Sequence, residues 1–291
     1  MIILPKKISR LIKRKQKCEL TEYYVYKNIA HKLKNENDKA ILNEITEKEK
    51  AHYEFWTSIL GKKAKPSYLK LVWYKFLTIL FGYTFTLKIM EKGEIISDNN
   101  YEIIFNYIDE AREIADDERE LEFQLLTLLK EDRLNYVGSM ILGLNDALVE
   151  LTGAIAGLTF ALSNTKLISL SALITGVAAS LSMAASEFLS SKAENKVNAV
   201  KSATYTGIAY IITVTILVLP YLLISDNKFL SLGIMLASVV LIIFLFNYYI
   251  SVSRGEPFKK RFFQMVFISL SVALISFFIG FLIKTIFGID I

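Results

Sequence analysis

Residues 138–162 read GSMILGLNDALVELTGAIAGLTFAL, an apolar stretch that carries two acids, Asp146 and Glu150, four residues apart. About 20 apolar residues in a row cross the hydrocarbon core of a bilayer as a helix, so the surrounding segment, 137–163, reads as a transmembrane span. A charged side chain at that depth costs roughly 2.5–3.5 kcal/mol on insertion scales, and sequences keep one there where an ion, a proton or a substrate uses it. The stretch makes this part of the chain helical and membrane-spanning, and makes the acid pair the first candidate for passage of a cation.

Four more runs of similar length follow, at about 167–191, 203–224, 229–251 and 262–287. Five spans put the two ends of the membrane part on opposite faces. Lys130 and Arg133 precede the first span, Lys192, Lys196 and Lys201 follow the second, and Arg254, Lys259, Lys260 and Arg261 follow the fourth. The other face holds only Lys166, Lys228 and Lys284. The excess of cations marks the cytoplasmic side, so the N-terminal half is expected in the cytoplasm and the C-terminus outside, in a cell (inner) membrane. Met1–Leu4, closed off by Pro5, Lys6 and Lys7, is too short for the apolar core of a signal peptide.

The 291 residues are 53% hydrophobic with a net charge of +5, figures that average two unlike halves. Up to about Arg133 the chain is dense in Lys and Glu, which gives an expected division into 1–132, soluble, and 133–291, membrane-embedded. Residues 6–17, KKISRLIKRKQK, place seven cations around Ile8, Leu11 and Ile12. They are read either as a solvated basic tail or as a segment lying on an anionic leaflet. No nucleic-acid partner is expected. Cys18 is the sole cysteine, which excludes an internal disulfide and a thiolate metal cluster within one chain. Metal ligands must come from carboxylate, imidazole and thioether groups.

Between residues 19 and 132 the pattern predicts helices at about 19–34, 38–61, 68–98 with a break near Gly82, and 102–132, separated by Asn35–Asp38, Gly61–Pro66 and Ser97–Asn100. That is the element count of a four-helix bundle, so the fold class is all-α throughout. The uncharged run Phe76–Leu87 is too short to span and is read as core or as membrane-surface helix. Each predicted helix carries acids: Glu22 on the first, Glu49 and His52 in an E-x-x-H on the second, Glu91 and Glu94 on the third, Glu118 and Glu122 on the fourth. Residues three or four apart share a helix face, and Glu ligands with E-x-x-H motifs on facing helices are how di-iron carboxylate bundles hold metal. His31, in a polar stretch, is read as a solvated surface residue.

This pattern, with Tyr24, Tyr26, Tyr53 and Tyr101 at bundle positions, resembles a rubrerythrin-type (erythrin) ferritin-like domain over roughly residues 16–132. The resemblance implies an iron-binding or di-iron bundle. The family's second E-x-x-H would run Glu118–Leu121 here, so Leu121 stands where a second histidine ligand would be. Reversible binding of Fe²⁺ by oxygen-rich sites is therefore expected over ferroxidase chemistry.

In the membrane half, counting from the cytoplasmic ends at 1.5 Å per residue puts Asp146 roughly 14 Å deep in the first span and Met183 roughly 12 Å deep in the second. Glu150 then lies about one turn deeper and Glu187 about one turn shallower, a ladder of ligands along one path. Carboxylate oxygen with thioether sulfur suits a borderline divalent ion such as Fe²⁺ better than Mg²⁺ or Ca²⁺. Spans one and two both carry small residues at helical spacing, Gly153-x-x-x-Gly157, Gly176 and Ala178–Ser182, which let helices approach closely and place these spans in the core of the bundle.

The segments GLNDAL and SMAASEFLS resemble the signatures of the vacuolar iron transporter family, over about residues 134–288. That resemblance implies a five-span homodimer that moves Fe²⁺ away from the cytosol against protons. Two positions depart from the family pattern: Asp146-Ala147 stands for D-G, and Ser186-Glu187-Phe188 stands for G-E-Y. The connection Lys192–Lys201 is short where plant members carry a metal-collecting domain, a role the N-terminal bundle would fill. The expected protein is an exporter of Fe²⁺, and of Mn²⁺ as a second cargo, with a membrane-anchored di-iron ferroxidase or peroxidase as the alternative. A metal sensor is a further rival, though no output module accompanies it.

Overall fold

A computed structural model describes residues 4–95, 101–128, 136–195, 198–224 and 226–287; the side chains of 92–95, 101, 102, 122, 126–128 and 287 fall outside the description. The chain forms two compact units, Met1–Glu131 and Asp132–Ile291. All elements among the described residues are helical.

The first unit contains α1 (Lys6–Ala30), α2 (Glu36–Leu60), α3 (Tyr68–Phe81), α4 (Tyr83–Ile95), the short α5 (Tyr101–Phe105) and α6 (Ala111–Leu128). Helix α1 starts thirteen residues before the expected position, because Ile8 and Ile12, four apart, are buried in the unit's core while most of the cations of residues 6–17 face outward. Neither reading of residues 6–17 survives: the segment is the first half of a packed helix. Helices α1 and α2 run alongside each other over most of their length. Asn35 caps α2 by accepting a hydrogen bond from the Asn37 amide at 3.0 Å, and Gly61, at φ 62°, ends it in the left-handed region that glycine enters without a Cβ penalty. The expected break at Gly82 is present, at φ 92°. It divides the uncharged run Phe76–Leu87: Leu77, Phe85 and Leu87 enter the core, and Phe76, Ile79 and Leu80 stay exposed. The expected break Ser97–Asn100 lies outside the described residues.

Two apolar clusters hold this unit. One combines Val25, Tyr26 and Ile29 of α1 with Leu42 and Ile45 of α2, Leu87 and Met90 of α4, and Leu121 and Leu125 of α6. The other combines Ile8 and Ile12 with Trp56, Ile104, Ile108 and Ile114. Between them, polar residues intervene on all three helices: Lys15 to Glu22 over about two turns of α1, Glu49 to His52 over about one turn of α2, and Asp117 with Glu118 on α6. Layers of this kind arise because apolar residues recur every three or four positions along each buried stripe, and the stripe is interrupted at the same level on all three helices.

The second unit has five helices long and apolar enough to cross a membrane: α7 (Val137–Ala161), α8 (Thr165–Ala193), α9 (Ala199–Leu223), α10 (Lys228–Arg254) and α11 (Phe258–Phe287). Its core joins Leu148, Leu151 and Ile155 of α7 to Ala172 of α8, Tyr210, Val214 and Leu217 of α9, and Met235, Val239 and Ile243 of α10. Glycines set the closest approaches. A Cβ on Gly143 would lie 2.5 Å from the Thr206 carbonyl oxygen, and one on Gly176 would lie 2.6 Å from Val214. Gly153 and Gly157 face Ser276 of α11, where Gly280 meets the Gly157 backbone. The small residues of spans one and two let helices approach closely, as expected: Gly153 and Gly157 serve α11 and Gly176 serves α9.

Candidate functional site

In the first unit, Glu19, Glu22 and Glu49 each offer a carboxylate oxygen within 4.8 Å of the others, and Glu19, His52 and Glu118 form a second group under the same limit. Glu19 belongs to both. It comes from α1, three residues before Glu22, so the two share a face; Glu49 and His52 do the same on α2; α6 supplies Glu118. All but Glu118 are buried, and that residue is half-buried. The His52 ring lies between two acids, with Nδ1 3.9 Å from Glu19 and Nε2 3.7 Å from Asp117. Among the described residues, neither nitrogen has a partner at hydrogen-bonding distance.

Lys15 Nζ is 3.3 Å from Glu118, and the Cys18 thiol donates to Glu22 at 3.2 Å. Four carboxylates thus converge with one ammonium beside them. Burial, together with the charges of Glu118, Glu49 and Glu22, holds the Glu19 carboxyl well above the usual carboxylate range. Burial pushes His52 below its ordinary value, against the opposing pull of Glu118 and Asp117. A neutral imidazole and a cluster of crowded carboxylates form a donor set that lacks positive charge, which a borderline divalent ion such as Fe²⁺ or Mn²⁺ would supply. Glu19 and Glu22 also line a cavity of about 260 Å³ with Cys18, Ser67 and Tyr74, which gives an ion room to reach them.

Of the expected ligands, Glu22, Glu49, His52 and Glu118 come together. Glu91 is buried on α4 but lies outside both groups. The side chains of Glu94, Glu122 and Tyr101 fall outside the described residues. Leu121, at the position of the missing histidine, is buried in the apolar cluster and offers no donor. Tyr26 is core, Tyr24 is exposed, and Tyr53 donates to the Ala64 carbonyl at 3.4 Å. Glu19 is the residue that sequence reasoning passed over, although Glu19-Leu-Thr-Glu22 carries the same-face spacing used for the other helices.

In the second unit, Asp146 is half-buried and Glu150 exposed on α7, while Met183 is half-buried on α8 against the core. Tyr210, fully buried on α9, donates to Glu150 at 2.8 Å. Glu187 is buried and accepts hydrogen bonds from Ser139 at 2.8 Å and Ser191 at 2.9 Å. Thr206 donates to the Ser139 carbonyl at 2.9 Å, so α7, α8 and α9 are joined at this point. Ser139 precedes Asp146 by seven residues, about 10 Å along the helix. Glu187 therefore stands about two turns from Asp146 rather than the one expected from counting, because depth along separate spans cannot fix their relative shift. Asn145, the neighbour of Asp146, opens on a separate cavity of about 340 Å³ with Asn247, Gln264 and Met265, and its buried Oδ1 has no hydrogen-bond partner among the described residues.

Comparison with known proteins agrees with the membrane half. Residues 137–200 and 193–281 match the VIT family. No curated protein and no solved structure matches the chain.

Proposed function

We propose that this chain, whose membrane half carries a VIT family domain, is an exporter of Fe²⁺, with Mn²⁺ as a second cargo, in which the N-terminal unit gathers the ion. The match to the VIT family supports a membrane transporter of iron or manganese; the direction, the coupling and the role of the first unit go further. The observation that carries it is the acid pair Asp146 and Glu150, one turn apart on α7 inside the matched domain. An anchor needs no carboxylates at membrane depth.

In this reading Asp146 and Met183 hold the ion in transit, and Glu187 and Glu150 relay ions or protons on either side of them. Carboxylates must be deprotonated to bind metal, so loading releases protons and emptying recovers them, which is sufficient for antiport. Tyr210 orients Glu150 through its hydrogen bond. The exposure of Glu150 on the single chain supports a homodimer, since a second copy would shield a carboxylate that lipid would not. The cation-rich connections support placing the first unit and both even-numbered loops in the cytoplasm and the C-terminus outside, at the inner membrane of a cell.

The first unit is read as a ferritin-like (rubrerythrin-type) bundle. Its support is the E-x-x-H of Glu49 and His52 set in a polar layer with Glu19, Glu22 and Glu118. Such a layer would raise the local concentration of metal at the cytoplasmic face. The burial of Leu121 favours capture over oxidation, because the site has one nitrogen ligand where a symmetric di-iron centre has two.

Metal flux in proteoliposomes tests the proposal. Asp146→Ala should reduce Fe²⁺ flux to near background with the protein still folded and inserted, and undiminished flux in that variant would remove Asp146 from the path. Met183→Leu keeps the volume and removes the sulfur. It should conduct while losing preference for Fe²⁺ over Mg²⁺.

A further inference from the structure

Helix α3 leaves its apolar face uncovered. Tyr68, Leu69, Val72, Trp73, Phe76, Ile79 and Leu80 are each more than half exposed, Leu69 at 84%. On the inner side Leu77 is buried, and Leu71 and Tyr74 pack on the core; Thr78 donates to Thr86 of α4 at 3.2 Å. The helix is thus firmly seated on one side and uncovered on the other. A contiguous exposed apolar patch of this kind marks an interaction surface.

The arrangement of charge identifies what covers it. At about 100° per residue, the seven exposed apolar side chains fill an arc of about 140°, with Lys75 about 20° outside one edge and Lys70 about 60° outside the other. From Phe55 to Met90 the chain has six lysines, Lys62, Lys63, Lys65, Lys70, Lys75 and Lys88, and no acid. An aromatic and aliphatic sector edged by lysines, on a helix of 14 residues, is too short to span a bilayer and has the form of a helix lying in its surface. There the rings enter the headgroup boundary and the lysine stems reach out to lipid phosphates. A second copy of the same face would instead bring lysine against lysine with no acid to neutralise them. The same chain carries five spans, so a leaflet is always within reach at high local concentration.

We infer that α3 is an amphipathic membrane-surface helix that docks the first unit on an anionic leaflet through Leu69, Val72, Trp73, Phe76 and Leu80, with Lys70 and Lys75 at the lipid phosphates. This use of α3 is separate from the metal layer, and it holds whether or not the chain exports iron.

The two tryptophans make the test direct. Trp56 is fully buried and Trp73 is half exposed, so Trp73 reports on α3, with Trp73→Phe giving the background. The full chain is placed in nanodiscs of phosphatidylcholine with or without phosphatidylglycerol, and quenched by lipids brominated near the headgroup or by aqueous iodide. In the anionic discs Trp73 is expected to be quenched by the brominated lipid and shielded from iodide roughly twofold or more relative to neutral discs. The double variant Leu69→Glu, Lys75→Glu changes only exposed positions and should reverse both effects. Free access of iodide to Trp73 in anionic discs would overturn the inference. So would shielding from iodide without quenching by brominated lipid, since that pattern means that protein, in a second copy or elsewhere in the chain, covers the face.

Discussion

Glu19 belongs to both candidate ligand groups of the first unit, and its replacement by glutamine should move stability and binding in opposite directions. Glutamine keeps the shape and removes the charge. In the metal-free protein, the carboxyl is buried among Glu22, Glu49 and Glu118, which raises the pKa of Glu19 well above its ordinary value. The sign follows from linkage: a carboxyl whose pKa is raised on folding stabilises the native state in its protonated form, below its unfolded pKa of about 4.3, and that contribution is lost as pH rises through the folded value. At neutral pH the site is therefore a cost to the empty protein. Glu19→Gln should stabilise it by on the order of 1 kcal/mol, the usual gain when a functional site is relieved of strain, seen as an increase of a few degrees in Tm. The difference between variant and wild type should grow from about pH 4.5 upward. Metal binding should respond the other way. Each group falls from three ligands to two, and the loss at each should be at least the 10–100-fold, about 1.4–2.7 kcal/mol, that even an outer-shell partner contributes. Titration calorimetry with Mn²⁺, which does not oxidise in air on this timescale, together with thermal unfolding of metal-free protein, reads both quantities. A variant that is less stable than wild type when empty, or that binds Mn²⁺ unchanged, would refute the assignment of Glu19 as the shared ligand.

Three other outcomes are expected. Removing residues 1–130 should leave a membrane unit that still conducts Fe²⁺ but needs a higher concentration, measured as the half-saturating concentration for flux; unchanged flux at low iron would show that the first unit does not feed the path. Stopped-flow mixing of Fe²⁺ with the aerobic protein should give little oxygen consumption, because Leu121 replaces a nitrogen ligand, whereas rapid growth of a ferric oxo absorbance that Glu49→Ala abolishes would restore the ferroxidase alternative. Gly280→Ala should destabilise the membrane unit by about 1–3 kcal/mol, the usual cost of overpacking, since the added carbon has no room beside the Gly157 carbonyl of α7; unfolding in detergent micelles measures it.

The five spans were legible because hydropathy over twenty residues is a signal that local context does not override, and the E-x-x-H of α2 because its two residues lie on one helix. What the sequence left open was everything that depends on which helices meet. Gly153 and Gly157 were evident as a close-packing face, but their partner is α11, more than a hundred residues away. Glu187 was evident as a buried acid, but its level is set by Ser139 of another span. Tyr210 reads as one more aromatic residue in an apolar run until the fold brings its hydroxyl to Glu150. Glu19 was missed for a different reason: its helix was expected to begin at that residue, and a first-turn glutamate looks like a favourable charge at a helix N-terminus. Extending α1 back to Lys6 moves Glu19 to mid-helix, where that explanation no longer holds.

The polar layer of the first unit is bounded on both sides by apolar clusters, one around Tyr26 and Leu42 and the other around Ile12 and Trp56. Small zinc modules unfold when stripped because the ion is their keystone. Here two independent clasps grip the helices above and below the ligands, so the layer can be emptied while the scaffold stays shut. In the collecting role proposed for this unit, handing over an ion would cost only the coordination itself, and the scaffold could pass its cargo on repeatedly without refolding between deliveries.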